Sequence, residues 1–534
     1  MLSGSCVGAG VFVAAFETAG VISGVKKRNR RALTVLAIAF VVVGGFLVRP
    51  LTHLVRTAYT DADELEAPPP GYVDDASRLD RTRVAEVWNI AVDGNDPEGQ
   101  LRALLARARA GGLRVSVAGA RHSMGGHTIY PGGIVVNMLP WNRMELDAGR
   151  DILKVQAGAL WKDVIAYLDP RGRSVAVMQS NNSFSVGGSI SVNCHGWQFD
   201  RGPIASTVES FRLMQADGTI VRCSRTENTE LFSLALGGYG LFGIILDVEL
   251  RVVPNERYRL HQYIVPLEQS LATFDSRIKD RSGVQMVYAR MSIVPRRLFQ
   301  EVVINAFHTD SGGDIPSLHE PGLAALKRAL FRGSADSEYG KELRWTAETK
   351  LQPALAGKIF SRNQILDEGV EVFQNRSTES TDILHEYFVP RQRAMGFVAA
   401  MRELIPRHSA NLLNVTVREV NEDTDTFLRY AHQPMISFVM LFVQEASAGG
   451  EQRMAALTRD LIDAALDHEG SYYLPYRLHA TVEQFHRAYP QAREFFDRKR
   501  KYDPGELFQN QFYTAYGSGS VAPTPTAPSS RSVN

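Results

Sequence analysis

The feature that most constrains this chain is residues 115–126, V-S-V-A-G-A-R-H-S-M-G-G, where a short apolar strand runs straight into a glycine-rich turn carrying a histidine. The β-branched Val115 and Val117, ending at Gly119, read as a strand that stops at a turn. Small residues at Ala118, Gly119, Ala120, Gly125 and Gly126 leave successive backbone N–H groups open to an anionic group such as a pyrophosphate. His122 stands between Arg121 and Ser123 with a neutral imidazole nitrogen available as a nucleophile or a hydrogen-bonding group. A plain structural turn has the same composition, so the stretch alone leaves both readings open.

Length and charge narrow the alternatives. At 534 residues the chain has room for roughly three or four domain-sized pieces. Lys plus Arg total 59 against 58 for Asp plus Glu, a net charge of +1, and no long-range attraction to nucleic acid follows from that balance. Cys6, Cys194 and Cys223 have neither metal-ligand spacing nor the density of a disulfide scaffold, so no metal is expected.

The N-terminus is unusual. Lys26, Lys27, Arg28, Arg30 and Arg31 precede an uncharged apolar run over residues 32–48. As a helix this run is roughly 26 Å long, near the lower limit for crossing a bilayer. It reads as one transmembrane helix, with the basic cluster on the cytoplasmic side and the body on the exoplasmic or periplasmic side. A buried core helix is the plainer alternative, and a cleaved signal peptide lacks a small-x-small site near Gly44 to Pro50. Residues 7–25 form a weaker apolar stretch interrupted by Glu17, and residues 29–33 loosely resemble a twin-arginine export signal.

Residues 1–60 are thus read as a membrane anchor. Residues 61–79, with Pro68-Pro69-Pro70, read as a polar linker. Globular patterning starts near residue 80. Leu101, Leu104, Leu105 and Ala108 have helical spacing, and Gly111-Gly112 ends that helix before the Val115 strand. Strands at 134–136, 153–155 and 174–178 alternate with a helix at 161–167 in an α+β pattern. Two strands flank the turn at Asp217-Gly218, a helix covers 230–236, and a long strand runs over 244–253. The character changes past Pro254. Strands at 258–264, 284–293 and 302–307 alternate with helices that include 391–404 and 451–468, which suggests a second domain over 256–470. Residues 471–516 follow, and residues 517–534, rich in Ser, Pro, Thr and Ala, read as a disordered tail.

Two further glycine-rich constellations stand out. In S-V-G-G-S-I-S-V-N-C-H-G, residues 185–196, Gly187 and Gly188 give close backbone access, while Ser185, Ser189 and Asn193 offer polar groups. His195 beside a glycine also suits a purely structural role. In G-G-Y-G-L-F-G-I-I, residues 237–245, the glycines suit either a ligand or tight helix–strand packing.

These motifs, with P-G-G-I-V-V-N-M at 131–138, A-D-G-T-I-V at 216–221 and G-Y-G-L-F-G-I-I-L-D-V-E-L at 238–250, resemble in their order the FAD domain of the vanillyl-alcohol oxidase and p-cresol methylhydroxylase family. Y-L-P-Y at 473–476 and K-Y-D-P-G-E-L-F-Q-N at 501–510 are similar to that family's C-terminal return to the domain. The resemblance covers about residues 80–515 and is nearest to sugar-lactone and alditol oxidases. It implies an α+β fold: an FAD domain built from residues 80–255 and 471–516, with an inserted α+β substrate domain. It also implies FAD bound covalently through His122, with His127 as the second candidate. Backbone around residues 118–126, 187–189 and Gly243, Ile244 and Ile245, with Ser185, Asn193 and His195, is expected to hold the cofactor. A bicovalent relative would carry a cysteine near residues 179–183, and none is present.

Departures from the family shape the expected chemistry. Cytokinin dehydrogenases place an aspartate just before the V-G-G, where this chain has amides and hydroxyls, which disfavours cytokinin as substrate. Alditol oxidases carry a glutamate and an arginine two apart on a strand. Here N-V-T-V-R-E, residues 414–419, puts Thr416 and Arg418 on one strand face and Glu419 on the other, so Arg418 matches and Thr416 replaces the acid. E-Y-F-V-P at 386–390 is similar to a strand of lactone- and polyol-oxidising relatives. Tyr473, Tyr476 and His479 are candidates for removing a hydroxyl proton, His479 first. The resemblance implies a membrane-anchored oxidoreductase that takes hydride from the CH–OH group of a lactone, polyol or similar small alcohol, with O₂ or a quinone as acceptor. The alternatives are alkene reduction of the sterol Δ24 type and a non-catalytic tethered binding protein.

Overall fold

The computed structural model describes residues 48–61, 65, 67–92, 96–279, 281, 283–318, 324–351 and 357–518. The chain divides into two units, residues 1–59 and 60–534. In the first, residues 48–59 are helical. The expected span over 32–48 lies outside the described residues except for its last position, as do residues 7–25 and the tail beyond Ser518. Among the described residues no helix is long and apolar enough to cross a membrane.

The second unit has a mixed α/β architecture built on three large sheets. In the first, Glu86–Asn89, Ile134–Asn137 and Val115–Ala118 run parallel with Ile134–Asn137 in the middle. Parallel strands need a helical crossover, and Pro97–Ala110 supplies it. Pro97 at the first helical position and the Asp96 side chain, which accepts from Gly99 N–H, start that helix. Its buried face is Leu101, Leu104, Leu105 and Ala108, the four positions the spacing picks out.

The second sheet is antiparallel and centred on the long strand Ile244–Pro254, which pairs with Val208–Met214, Ile152–Gln156 and Arg173–Val175. The glycine-rich segment over 185–196 coils into the short helix Val186–Ser191. Gly187 lies so close to Ala157 that a Cβ there would sit 2.7 Å from the alanine methyl. The helix therefore packs directly on the second sheet.

The third sheet has eight antiparallel strands, in the order Ile359–Ser361, Arg257–Pro266, Glu301–Thr309, Val284–Met291, Asn411–Val420, Met435–Glu445, Ser380–Pro390 and Ser471–Tyr472. Helices Ala394–Arg407 and Ala448–Asp467 pack on it and on each other. Ser380–Pro390 is almost continuously buried, as a strand covered on both faces must be.

After Ser471–Tyr472 the chain returns to the first sheet. Val115 N–H donates to Leu507 O at 2.8 Å, and Gln509 N–H donates to Val115 O at 3.0 Å. A buried ion pair fixes this return. Lys499 Nζ lies 2.6 Å from Asp503 Oδ2, with side chains 0% and 2% exposed, and the Asp503 carboxylate also accepts from Leu507 and Phe508 N–H. Removing one partner of a buried pair leaves the other charge uncompensated. Asp503→Ala should therefore cost about 3–5 kcal/mol of stability. Urea unfolding checks this, and a loss below 1 kcal/mol would contradict the role given to the pair.

Candidate functional site

The turn after Val115–Ala118 is held by four segments remote in sequence. At Gly119 an added Cβ would lie 2.0 Å from Ser185 Oγ, so the two glycine-rich segments touch only because that position is bare. At Gly125 it would lie 2.4 Å from the Tyr476 carbonyl oxygen, and Met124 N–H donates to Pro475 O at 2.8 Å. Gly126 abuts Gln511 and donates its N–H to Asp75 Oδ2 at 2.9 Å.

His122 stacks on Phe184 with ring centroids 4.1 Å apart, and its Nε2 lies 3.2 Å from Ser183 O. A carbonyl only accepts, so Nε2 carries the proton and Nδ1 keeps the lone pair. Burial lowers the imidazole pKa and favours this neutral form. His127, the second histidine of the turn, sits among Tyr239 and Phe512, each 5.6 Å away by ring centroids.

A cavity of about 600 Å³ opens beside this turn. Ala118, Gly119, Ala120, Arg121, His122, Ser123, Ser185, Gly187, Gly188, Ser189, His195, Gly243 and Ile245 line it. Four expected cofactor contacts do not. Gly125 and Gly126 face Tyr476 and Gln511, as above. Asn193 is taken up by Asp423 at 2.9 Å and Ala205 N–H at 3.1 Å, and Ile244 points into the core around Val115.

The third sheet forms the other wall. Cross-strand register puts Arg290 opposite Thr416, Thr416 opposite Val439, and Val439 opposite Glu386. These four residues form one row across four strands, and all line the cavity. Alternation also brings Asn414 and Arg418 to this face, whereas Glu419 faces away and pairs with Arg391. Glu386 carries the acid that Thr416 lacks, from two strands further on. Its signal in the sequence is a carboxylate on the apolar strand E-Y-F-V-P, but only strand pairing shows where it points.

Glu386 is the electrostatic centre of the wall. His195 Nε2 lies 2.6 Å from its Oε1, Ser437 Oγ donates to the same oxygen at 2.6 Å, and the Tyr476 hydroxyl donates to Oε2 at 3.3 Å. Burial opposes ionisation of this carboxyl, but His195, Arg418 and Ser437 outweigh it and hold the pKa below the usual range. Burial and the adjacent Glu386 push the Tyr476 phenol well above its ordinary value, so it stays protonated. Arg418 donates to His195 O at 3.3 Å and Ser180 Oγ at 3.1 Å; burial lowers its pKa, yet guanidinium remains a cation.

His479, the first candidate for proton removal, does not reach the cavity. Its Nε2 lies 2.8 Å from Glu451 Oε1 and its Nδ1 2.9 Å from Thr458 Oγ1. Tyr473 lines the cavity, but its hydroxyl donates to Val192 O at 2.9 Å.

The cavity wall on the turn side suits a ligand rich in acceptor oxygens. Arg121 Nε, Ser123 Oγ and Thr128 Oγ1 are buried there without a hydrogen-bond partner among the described residues. Buried donors left unpaired are costly, and a bound phosphate-bearing group removes that cost.

Comparison with known proteins points to the same kind of ligand. Residues 96–224 match the FAD binding domain family. The chain is similar to L-gulonolactone oxidase of Mus musculus, 31% identical over 182 residues, which are 34% of this chain and 41% of that protein. It is similar to cytokinin dehydrogenase 10 of Oryza sativa subsp. japonica, 26% identical over 429 residues, 73% of this chain and 77% of the relative. Decaprenylphosphoryl-beta-D-ribose oxidase of Mycolicibacterium smegmatis is 31% identical over 177 residues, 33% of this chain and 38% of that protein. The chain spans about two-fifths of the length of the L-gulonolactone oxidases it matches, 41% in each case.

Burial drives the His127 pKa from 6.5 down to about 4. The unfolded chain therefore binds this proton first as pH falls, so the contribution is complete above pH 6.5 and is lost on descent to pH 4. The lost stability is about 3 kcal/mol. Urea unfolding between pH 7 and 4 should show a steeper decline in the wild type than in His127→Gln. Parallel declines would contradict neutral burial of His127.

Proposed function

We propose that this chain, a member through its FAD binding domain at residues 96–224 of the FAD-dependent oxidoreductase family with the PCMH-type FAD domain, oxidises the CH–OH group of a sugar-lactone, polyol or similar small alcohol. The observation that carries this reading is the Tyr476–Glu386 pair, a protonated phenol donating to an anchored carboxylate on the wall facing the His122 turn. Oxidising a carbinol releases a hydride and a proton. FAD, when bound, accepts the two electrons with the hydride, and O₂ or a quinone then takes the electrons on. The likeness to L-gulonolactone oxidase supports a lactone-type alcohol.

The residues of this chain handle the proton and the charge. The Tyr476 oxygen receives the substrate hydroxyl proton while its own proton passes to Glu386 Oε2, so no charge is stranded in the cavity. His195 and Ser437 fix Glu386 Oε1, leaving Oε2 for this transfer. Arg418, on the same face, stabilises the negative charge that develops on substrate or cofactor oxygens. Arg121, Ser123 and Thr128, whose buried donors lack a partner among the described residues, would hold the phosphate groups of FAD. The His122 Nδ1 lone pair is the proposed point of covalent attachment.

We also propose that residues 32–48 anchor the chain in a membrane, with the body on the exoplasmic or periplasmic side. The basic cluster before an uncharged apolar run supports this reading. Removing residues 1–60 should then release a yellow protein from the membrane fraction, and a truncated protein still bound to membranes would refute the anchor.

The flavin is tested first. Acid-denatured protein should show flavin fluorescence on the polypeptide band, and His122→Ala should release it; a colourless protein refutes the enzyme. Tyr476→Phe and Glu386→Gln should keep the flavin and slow its reduction by L-gulono-1,4-lactone by about 10²–10⁴-fold. Unchanged rates in both variants would remove this pair from the reaction.

A further inference from the structure

Three strands from Glu386, the same row ends in a second polar site that the proton transfer does not use. Arg290 Nη1 donates to Asn414 Oδ1 at 2.5 Å, and Arg344 Nη2 donates to that oxygen at 2.7 Å. Asn414 Nδ2 donates in turn to Thr416 Oγ1 at 3.1 Å, so the amide is fixed at both ends and orients Arg290. Arg344 is committed elsewhere, to Glu348 at 3.0 Å and Leu413 O at 2.7 Å. Arg290 lines the cavity with Tyr288 beside it, and Glu348 and Glu368 act on it electrostatically without closing an ion pair.

Glu368 lines the same cavity, and among the described residues its carboxyl group enters no hydrogen bond. A charged donor fork and a carboxyl acceptor thus face one space without satisfying each other. An apolar ligand would desolvate both at a cost. A singly charged ligand would be repelled by one of them. A hydroxyl group suits both, since it accepts from guanidinium and donates to carboxyl at once.

We propose that Arg290 and Glu368 form a specificity subsite for hydroxyl groups of a polyhydroxylated substrate, at carbons remote from the one oxidised. The assignment rests on the CH–OH reading of the Tyr476–Glu386 pair. At ~4.8 Å per strand, the backbones of Arg290 and Glu386 stand roughly 14 Å apart, and their side chains reach inward over the cavity. A six-carbon lactone carries hydroxyl groups further from the oxidised carbon than three-carbon glycerol does, so of the two it is the one suited to engage both groups.

The experiment compares L-gulono-1,4-lactone with glycerol on the holoenzyme. Arg290→Met keeps the side-chain stem and removes the charge. It should lower the ratio of kcat/KM for the lactone to kcat/KM for glycerol by about 10- to 100-fold, mainly through KM of the lactone. Calorimetric titration of the dithionite-reduced enzyme with the lactone in the absence of O₂ should show weakening of the same order, and it reads the subsite without chemistry because reduced flavin accepts no further hydride. If Arg290→Met fails to retain flavin, Glu368→Gln carries the comparison, because it keeps the shape and removes the charge. An unchanged ratio with unchanged lactone binding would overturn the subsite. If neither compound reduces the wild-type flavin, the CH–OH reading fails, and the titration decides the subsite by itself: Arg290→Met must still weaken lactone binding.

Discussion

The Ser185 and Tyr476 segments can meet at the His122 turn only because Gly119 and Gly125 have no side chain. The Ser185 hydroxyl occupies the space a Cβ would take at Gly119, and the Tyr476 carbonyl occupies it at Gly125. Since Val115 also pairs with the returning residues 507–509, the turn is fixed from both flanks. The orientation of His122 follows from this, because Ser183 and Phe184, which hold its ring, belong to the segment that Gly119 admits. A methyl group at Gly119 would push the turn off the Ser185 segment, and one at Gly125 would push it off the segment that carries Tyr476. Packing density leaves no slack to absorb such a shift.

On the opposite wall, strand register does the work that glycine does at the turn. Side chains directly across antiparallel strands point to one face, so Arg290, Thr416, Val439 and Glu386 are neighbours in space though far apart in sequence. A buried carboxylate needs compensation, and Glu386 receives it from His195, Ser437, Tyr476 and the field of Arg418. His195 comes from the Gly187 segment, so the charge balance of the second wall depends on the first sheets being docked.

The regular elements were legible because their signals are local. The helix Pro97–Ala110 shows its cap, its period and its stop in the sequence, and the face of Thr416 and Arg418 follows from period two. Val186–Ser191 was hidden because glycines that signal a turn also suit a helix pressed against Ala157. The partnership of Glu386 with Tyr476 was out of reach for a different reason. It depends on which strands pair, and pairing is decided by non-local burial that no window of sequence contains. Arg290 and Asn414 were missed for the same cause.

His479 shows how a side chain suited to proton transfer comes to serve the scaffold. Its imidazole and Arg477 share one carboxylate oxygen, Glu451 Oε1, at 2.8 and 2.5 Å. Arg477 continues to Asp80 Oδ2 at 2.5 Å and to Met124 O at 3.0 Å, the residue before Gly125. Fixed charges thus brace the turn from behind, where Glu451 and Asp80 share the Arg477 guanidinium and neither lines the cavity. In front of it, Glu386 Oε2 meets only a phenol that also faces the cavity. A group bonded at every position is scaffold, and one with a position left toward the cavity is available for chemistry; that difference separates His479 from Glu386 although both are deeply buried.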